Sequence, residues 1–385
     1  FGPNVVFFGG VVGSLLAIVD HLAAVQLIGA FALKLRRTGL VFALAAVWSV
    51  PSNASPADQG AASEKSAVER ACEAGEVAAC LNAGRILVQL SGEARAIRAR
   101  DMFARGCELG SADACHLLVP MLIEGRGGAQ LLDVAAEVAQ ILCEAGSGQG
   151  CSWQANVLSR QAASDQQIDH ENLIAARELY LQGCDLDSME ACGQAGALLA
   201  TGTGGPADPI KGYDLLERAC RAEQWQACAN VAVMARDGLA HDADWAAARD
   251  YFGMACDGGI ANACNDLGIM WMQLSDRSGD ERWRDPALLV FIASCDGGDG
   301  AGCSNAARQL REGRGVPTDF VRAYDFASRG CEANSARACL LASDMRGAGE
   351  GVEGDAQTAR ALRQKACDLG QSSACAMVDA PARQD

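Results

Sequence analysis

The chain has 385 residues, half of them hydrophobic, with 18 cysteines and four histidines. Its 48 Asp and Glu outweigh 32 Lys and Arg, for a formal net charge of −16. So acidic a balance argues against nucleic acid as a partner, because phosphates demand a basic face.

Read in chain order, residues 1–32 are taken as upstream sequence or an apolar segment. Residues 5–33 are long enough to span a bilayer, but Asp20 and His21 interrupt the middle, where charge is costly. From Leu33 a basic start (Lys34, Arg36, Arg37) leads into the mostly apolar run Thr38–Val50 and small residues up to Ala54. This is the form of a secretory leader, read as residues 33–54 with cleavage after Ala54. The first methionine is Met102, so Leu33 is read as a start at a bacterial alternative initiation codon. No cysteine precedes Cys72, so a lipoprotein anchor is not indicated. A linker over 55–64, a repeat region over 65–380 and a tail over 381–385 follow. The expected location is periplasmic or secreted, with the membrane met only through the export signal.

The cysteines form nine pairs, each eight positions apart: Cys72/Cys80, Cys107/Cys115, Cys143/Cys151, Cys184/Cys192, Cys220/Cys228, Cys256/Cys264, Cys295/Cys303, Cys331/Cys339 and Cys367/Cys375. Successive pairs begin 35, 36, 41, 36, 36, 39, 36 and 36 residues apart, the period of a stacked-repeat array. On one continuous helix the members of a pair would lie about 12 Å apart, whereas a disulfide needs roughly 4.4–6.8 Å between Cα atoms. A bonded pair therefore requires the chain to reverse. Gly75, Gly110, Gly146, Gly259, Gly298 and Gly370 stand three residues after the first cysteine, with Asp187 and Asn334 in two other pairs. These residues suit the left-handed conformation that ends a helix. Glu223 is the exception. The residue before the second cysteine is always Ala or Gly, which lets two helix ends approach. Reduced, buried cysteines are the competing reading; the even number, fixed spacing and leader argue against it. Zinc sites use pairs two to four residues apart, a form this chain lacks.

Between pairs, two helical stretches flank a Gly-rich turn. Ser304–Arg311 reads as a helix, Glu312–Pro317 as a turn and Asp319–Arg329 as a second helix. Eight positions before the first cysteine a small residue recurs: Ala99, Ala135, Ala176, Gly212, Ala248, Ala287, Ala323 and Ala359. Small side chains there let helices cross closely, and apolar residues such as Phe103, Tyr180, Phe252, Phe291 and Phe326 fill the core beside them. The units ending at Cys184 and Cys295 carry extra residues, around Ser164–Glu171 and Ser275–Arg284, expected to bulge from the inter-helix turn.

The segments around Cys256–Cys264 and Cys367–Cys375 resemble the Sel-one-like repeat, a relative of the tetratricopeptide repeat. The disulfide-bridged form of the Helicobacter cysteine-rich protein family is the nearest pattern, over about residues 65–380. The resemblance implies an all-α fold, an αα-hairpin repeat solenoid wound as a right-handed superhelix. It would have about eight to nine units, each bridge tying one helix end to the start of the next. It also implies penicillin binding or weak β-lactamase activity as an alternative function. The serine enzymes need Ser-x-x-Lys, and none of Lys34, Lys65, Lys211 and Lys365 has a serine three residues earlier. A metal route needs clustered histidines, whereas His116, His170 and His241 fall in different units. Asp296–Gly300 lacks the downstream Glu of a calcium loop. No catalytic residue, metal or cofactor is expected.

The expected function is a scaffold binding a protein or peptide in the groove of the superhelix, acting as a monomer. First-helix side chains usually face such a groove. The candidates are Asn82, Arg85, Gln154, Gln194, Asn230, Asn265, Asp266, Asn305 and Arg308. Their amide and charged groups suit an extended peptide backbone.

Overall fold

The computed structural model describes residues 65–90, 92–164 and 169–378, and the leader and linker expectations lie outside them. Within these residues the regular structure is helical and divides into two compact units, the first running to Leu198 with 202–207, the second comprising 199–201 and 208 onward. The first unit holds α1 (Ala67–Glu73), α2 (Val77–Gln89), α3 (Glu93–Glu108), α4 (Ala112–Glu124), α5 (Leu132–Glu144), α6 (Gly148–Ser164), α7 (His170–Asp185) and the body of α8 (Met189–Thr201). In the second lie α9 (Pro209–Arg221), α10 (Trp225–Asp237), α11 (Trp245–Asp257), α12 (Ala261–Ser278), α13 (Arg284–Asp296), α14 (Gly300–Glu312), α15 (Phe320–Glu332), α16 (Ala336–Ala348), α17 (Ala356–Asp368) and α18 (Ser372–Val378). Consecutive helices pack as hairpins in each unit. Among the described residues no helix is long and apolar enough to cross a membrane.

Every cysteine pair is joined, and each bridge stays between cysteines eight apart. In the first unit Cys72 bonds Cys80, Cys107 bonds Cys115, Cys143 bonds Cys151 and Cys184 bonds Cys192. In the second Cys220 bonds Cys228, Cys256 bonds Cys264, Cys295 bonds Cys303, Cys331 bonds Cys339 and Cys367 bonds Cys375. The Cα atoms of a pair lie 4.4–4.7 Å apart, at the short end of the range a disulfide allows. No described cysteine is free, so the reduced-thiol alternative falls.

Cap geometry accounts for the spacing. At the first bridge Gly75 donates its N–H to the Cys72 carbonyl, and Glu76 donates to that of Ala71. This is a Schellman closure, and the residue three after the first cysteine takes a positive φ in all nine pairs. The residue that completes the closure is also the N-cap of the next helix. Ser111, Ser147, Ser188, Asp299 and Ser335 fill that position, and their side chains accept from the amide of the residue just before the second cysteine. Counting through the shared residue makes the first cysteine the last but one of its helix and the second the fourth of the next. That count is the C-x7-C spacing.

Glu223, which has no left-handed preference, still adopts φ 62°. Its N–H bonds the Cys220 carbonyl, and Gln224 closes on Ala219, as in the glycine-bearing pairs. The closure and bridge impose the conformation on an unfavourable residue, at about 1 kcal/mol or more.

The recurrent small residues Ala99, Ala135, Ala176, Ala248, Ala287, Ala323 and Ala359 are buried, and Phe103, Phe252, Phe291 and Phe326 lie in the core beside them. Phe103 rests on Gly84, where a Cβ would come 2.4 Å from the ring, and Phe291 rests on Gly268 in the same way at 2.6 Å. Neither helix could carry a side chain there without displacing an aromatic that fills the core.

The Gly-rich turns have a second reason for their composition. A Cβ on Gly127 would lie 2.3 Å from the Ala96 carbonyl oxygen, on Gly204 2.4 Å from that of Leu173, and on Gly351 2.0 Å from that of Phe320. Each turn thus presses its glycine onto the preceding unit's second helix. Arg100 and Arg177 fasten two of these turns by donating to the Ala129 and Pro206 carbonyls at 2.8 and 2.9 Å.

The extra residues do not simply bulge. In the unit ending at Cys295, α12 runs five residues longer than the usual 13, and a 3₁₀ turn (Glu281–Trp283) delivers the chain to α13. Asp276 on that extension pairs with Arg314 at 3.0 Å and Arg284 at 3.3 Å, so the longer helix is tied to its neighbours. In the unit ending at Cys184, α6 extends to Ser164, and residues 165–168 of the extra stretch lie outside the described ones. Helix elongation satisfies the backbone hydrogen bonds that an irregular bulge would leave to water.

Candidate functional site

The bridges themselves offer little surface to a partner, Cys256, Cys367 and Cys375 being the partly exposed members. Cys80, Cys115, Cys151, Cys192, Cys228, Cys264, Cys303 and Cys339 are all buried, and Cys375 is partly covered. These cysteines, expected among the site residues, are structural staples enclosed by the helix ends they join. A site has to be built from the side chains that the bridges position.

The first helix of each hairpin begins beside the second cysteine, so its position is fixed by the bridge. In the first unit Asn82 and Arg85 are exposed on α2, Gln154 is half-buried on α6, and Gln194 is exposed on α8. They stand on three separate helices, one or two to each.

In the second unit the arrangement is closer. Asn305 on α14 donates its side-chain amide to the Asn265 carbonyl oxygen on α12 at 2.7 Å. Arg308, one turn further along α14, donates to the Asn305 oxygen at 3.0 Å. The structure therefore joins Asn265, Asn305 and Arg308 in one polar row across two repeats. Asn265 is only 8% exposed, so it serves as the anchor of the row, and Arg308 is the exposed end. Asp266 is half-buried beside it. Burial pushes its carboxyl up from the ordinary aspartate value, Arg236 opposes this, and Asp299 and Asp237 reinforce it. Asn230, half-buried on α10, belongs to the same run of first helices but not to this row.

Sequence reasoning passed over two arginines here. Arg236 and Arg311 each stand eight positions after a second cysteine. Arg236 pairs with Asp237 at 2.7 Å, and Arg311 pairs with Glu350 at 2.7 Å across 39 residues. Arg holds that offset after only three of the nine second cysteines, so the position gave little signal in the sequence. These pairs leave the face with both signs of charge, able to present donors and acceptors to an extended chain.

The other singled-out groups have structural employment. His116 places Nδ1 2.8 Å from the Ala112 carbonyl and Nε2 2.8 Å from the Ser147 hydroxyl. The Nδ1–H donates, Nε2 accepts, and the ring links α4 to the cap of α6 while lying against Trp153. Asp299 spends its carboxylate on the Ala301 and Gly302 amides and the Ser294 hydroxyl. Trp271 is half-buried against the hydrophobic core around Phe291 and Leu310.

Four stretches of the chain, residues 190–223, 225–260, 302–335 and 336–371, match the family model of the Sel1 repeat. A protective antigen present in uropathogenic Escherichia coli strains, displaying an SLR fold, is similar with a TM-score of 0.64 and 20% identity, over 82% of this chain and 68% of that one. A Sel1 repeat protein from Oxalobacter formigenes is similar with a TM-score of 0.61 and 18% identity, over 86% and 94% of the two chains. At these identities the likeness is one of fold. No curated protein matches the sequence.

Proposed function

We propose that this chain of Sel1 repeats is an exported, monomeric scaffold that binds a protein or peptide segment along the polar face of its first helices. Nine disulfides fit an oxidising compartment, and Sel1 repeats generally mediate protein interactions. The observation that carries the reading is the row Asn265–Asn305–Arg308. A buried carboxamide holds a half-buried one, which in turn holds an exposed guanidinium. Preorganised amides of this kind hydrogen-bond a peptide backbone without first losing rotamer freedom.

The test is site-specific photocrosslinking in the natively exported protein. A crosslinker at Arg308 or Gln194 should capture a defined polypeptide, and one at Arg360 on α17, a second helix, should not. Equal capture from all three positions would contradict the assignment.

A further inference from the structure

At the turn edge of the second unit, away from the Asn265–Asn305–Arg308 row, an open cavity of about 620 Å³ is bounded by α13, the end of α14, the turn at 316–319 and the start of α15. Leu288 and Leu310 line it and are buried, and Val316, Phe320 and Val321 complete its apolar lining. Phe320 and Val321 remain 41% and 67% exposed although they begin a helix that is otherwise well packed. Two aspartates and one arginine supply the charge. Asp319 uses one oxygen to cap α15 by accepting from the Arg322 amide. Asp285 sits in the first turn of α13 with its carboxylate exposed, and the nearby Arg284 spends its guanidinium on Asp276, Glu281 and Ser275 instead.

We propose that this cavity is a docking site for a peptide segment carrying one large apolar side chain next to a lysine or arginine. The volume suits a single aromatic or branched side chain with its flanking backbone. The lining offers that side chain carbon from Leu288, Leu310, Val316, Phe320 and Val321, while Asp285, Thr318, Asp319 and Arg322 form its polar part, with two carboxylates against one guanidinium. An uncommitted carboxylate at Asp285, on a chain of net charge −16, selects a cationic neighbour over an acidic one. The site shares α14 with the first-helix face only through the buried Leu310 and otherwise draws on α13, the turn at 316–319 and α15, so either can fail alone.

The experiment is a methyl NMR titration of the full exported chain with the blocked peptide acetyl-Gly-Phe-Lys-Gly-amide, and with the same peptide carrying Glu for Lys. The lysine peptide should shift the Leu288, Val316 and Val321 methyls and bind at least fivefold more tightly than the glutamate peptide. Asp285→Asn should abolish that preference. Val321→Ser, at an exposed position, should weaken both peptides severalfold through loss of apolar contact while leaving the remaining methyl spectrum in place. Unmoved cavity methyls, equal binding of the two peptides, or shifts confined to the first-helix face would each overturn the proposal.

Discussion

Gly150 lies so close to Leu142 that a Cβ on the glycine would fall 2.6 Å from the Cβ of the leucine. Leu142 precedes the first cysteine of its pair, and Gly150 precedes the second. The same two positions meet in the other hairpins, where the partners include Gly106 with Ala114, Gly183 with Ala191, and Gly330 with Ala338. The residue before the first cysteine exceeds alanine in two pairs, at Leu142 and Ser294, and in both the opposite residue is glycine, Gly150 or Gly302. Helix ends held by a disulfide leave room for a fixed total of side-chain volume, and the chain divides that volume between the two sides.

Gly150→Ala should therefore destabilise by about 1–3 kcal/mol through overpacking. Leu142→Ala alone should cost about 2–5 kcal/mol because Leu142 is fully buried. The double variant, Ala facing Ala as in the pairs at Cys72 and Cys220, should be more stable than the sum of the two losses predicts. Denaturant melts of the four proteins measure the coupling, and strict additivity would refute the shared-volume account.

Glu223 holds a left-handed backbone that glycine would adopt without strain. Glu223→Gly should stabilise by about 0.5–1 kcal/mol, the relief of strain being partly offset by the freedom glycine gains in the unfolded chain. Glu223→Val should lower the melting temperature. A glycine variant less stable than the parent would show that the glutamate side chain supplies something the backbone does not.

Two carboxylates in the first unit should respond to pH with opposite sign. Burial pushes Asp101 up to about 6, with Arg100 and Lys65 opposing. The stability from this group is complete below its unfolded value near 4 and is lost as pH rises through 6. Asp101→Asn should thus stabilise by about 1 kcal/mol at pH 7.5, after allowance for solvent screening, and by almost nothing at pH 4. Glu69 is buried, which opposes its charge, but hydrogen bonds from Arg98 at 2.6–2.9 Å and from the Ser66 amide hold its carboxyl below the usual range. Its contribution is present above the unfolded value and is lost as pH falls through the folded one. Glu69→Gln should cost about 3 kcal/mol at pH 7 and less under acid. Urea midpoints from about pH 2.5 to 8 distinguish the two variants, Asp101→Asn diverging from the parent toward the alkaline end and Glu69→Gln converging with it toward the acid end; parallel curves would exclude both assignments.

Gly351 combines a φ of 70° with its close approach to the Phe320 carbonyl. Gly351→Ala should cost at least about 2 kcal/mol, since no flexible side chain is there to yield. Gly370 has the same kind of φ, at 90°, with nothing near it, so Gly370→Ala should cost only the backbone term, about 1 kcal/mol. Similar losses at both sites would mean that the turn does not press on the helix.

Much of this architecture is legible in the sequence because the repeat states it nine times. Cysteine spacing, left-handed glycines and the small residue on the second helix each recur, and each has a local steric meaning. The complementarity of Leu142 with Gly150 escapes a reading along the chain because it compares positions eight apart within a pair. The lengthening of α12 escapes it because the extra residues from Ser275 onward include Gly279, which signals a turn until Ser278 completes the helix before it. The polar row was legible as residue types on first helices. Its internal hydrogen bonds were not, because Asn265 and Asn305 stand one and two places after their cysteines and so share no repeat position.

One shared cap residue per hairpin sets each cysteine pair, and each bridge stays within its pair. Digestion of the exported, alkylated chain without reductant, followed by mass spectrometry of the linked peptides, tests it most directly. The account predicts nine links, each between cysteines eight apart, and no alkylated thiol. A link joining cysteines of different pairs, or a cysteine carrying the alkylating group, would contradict it.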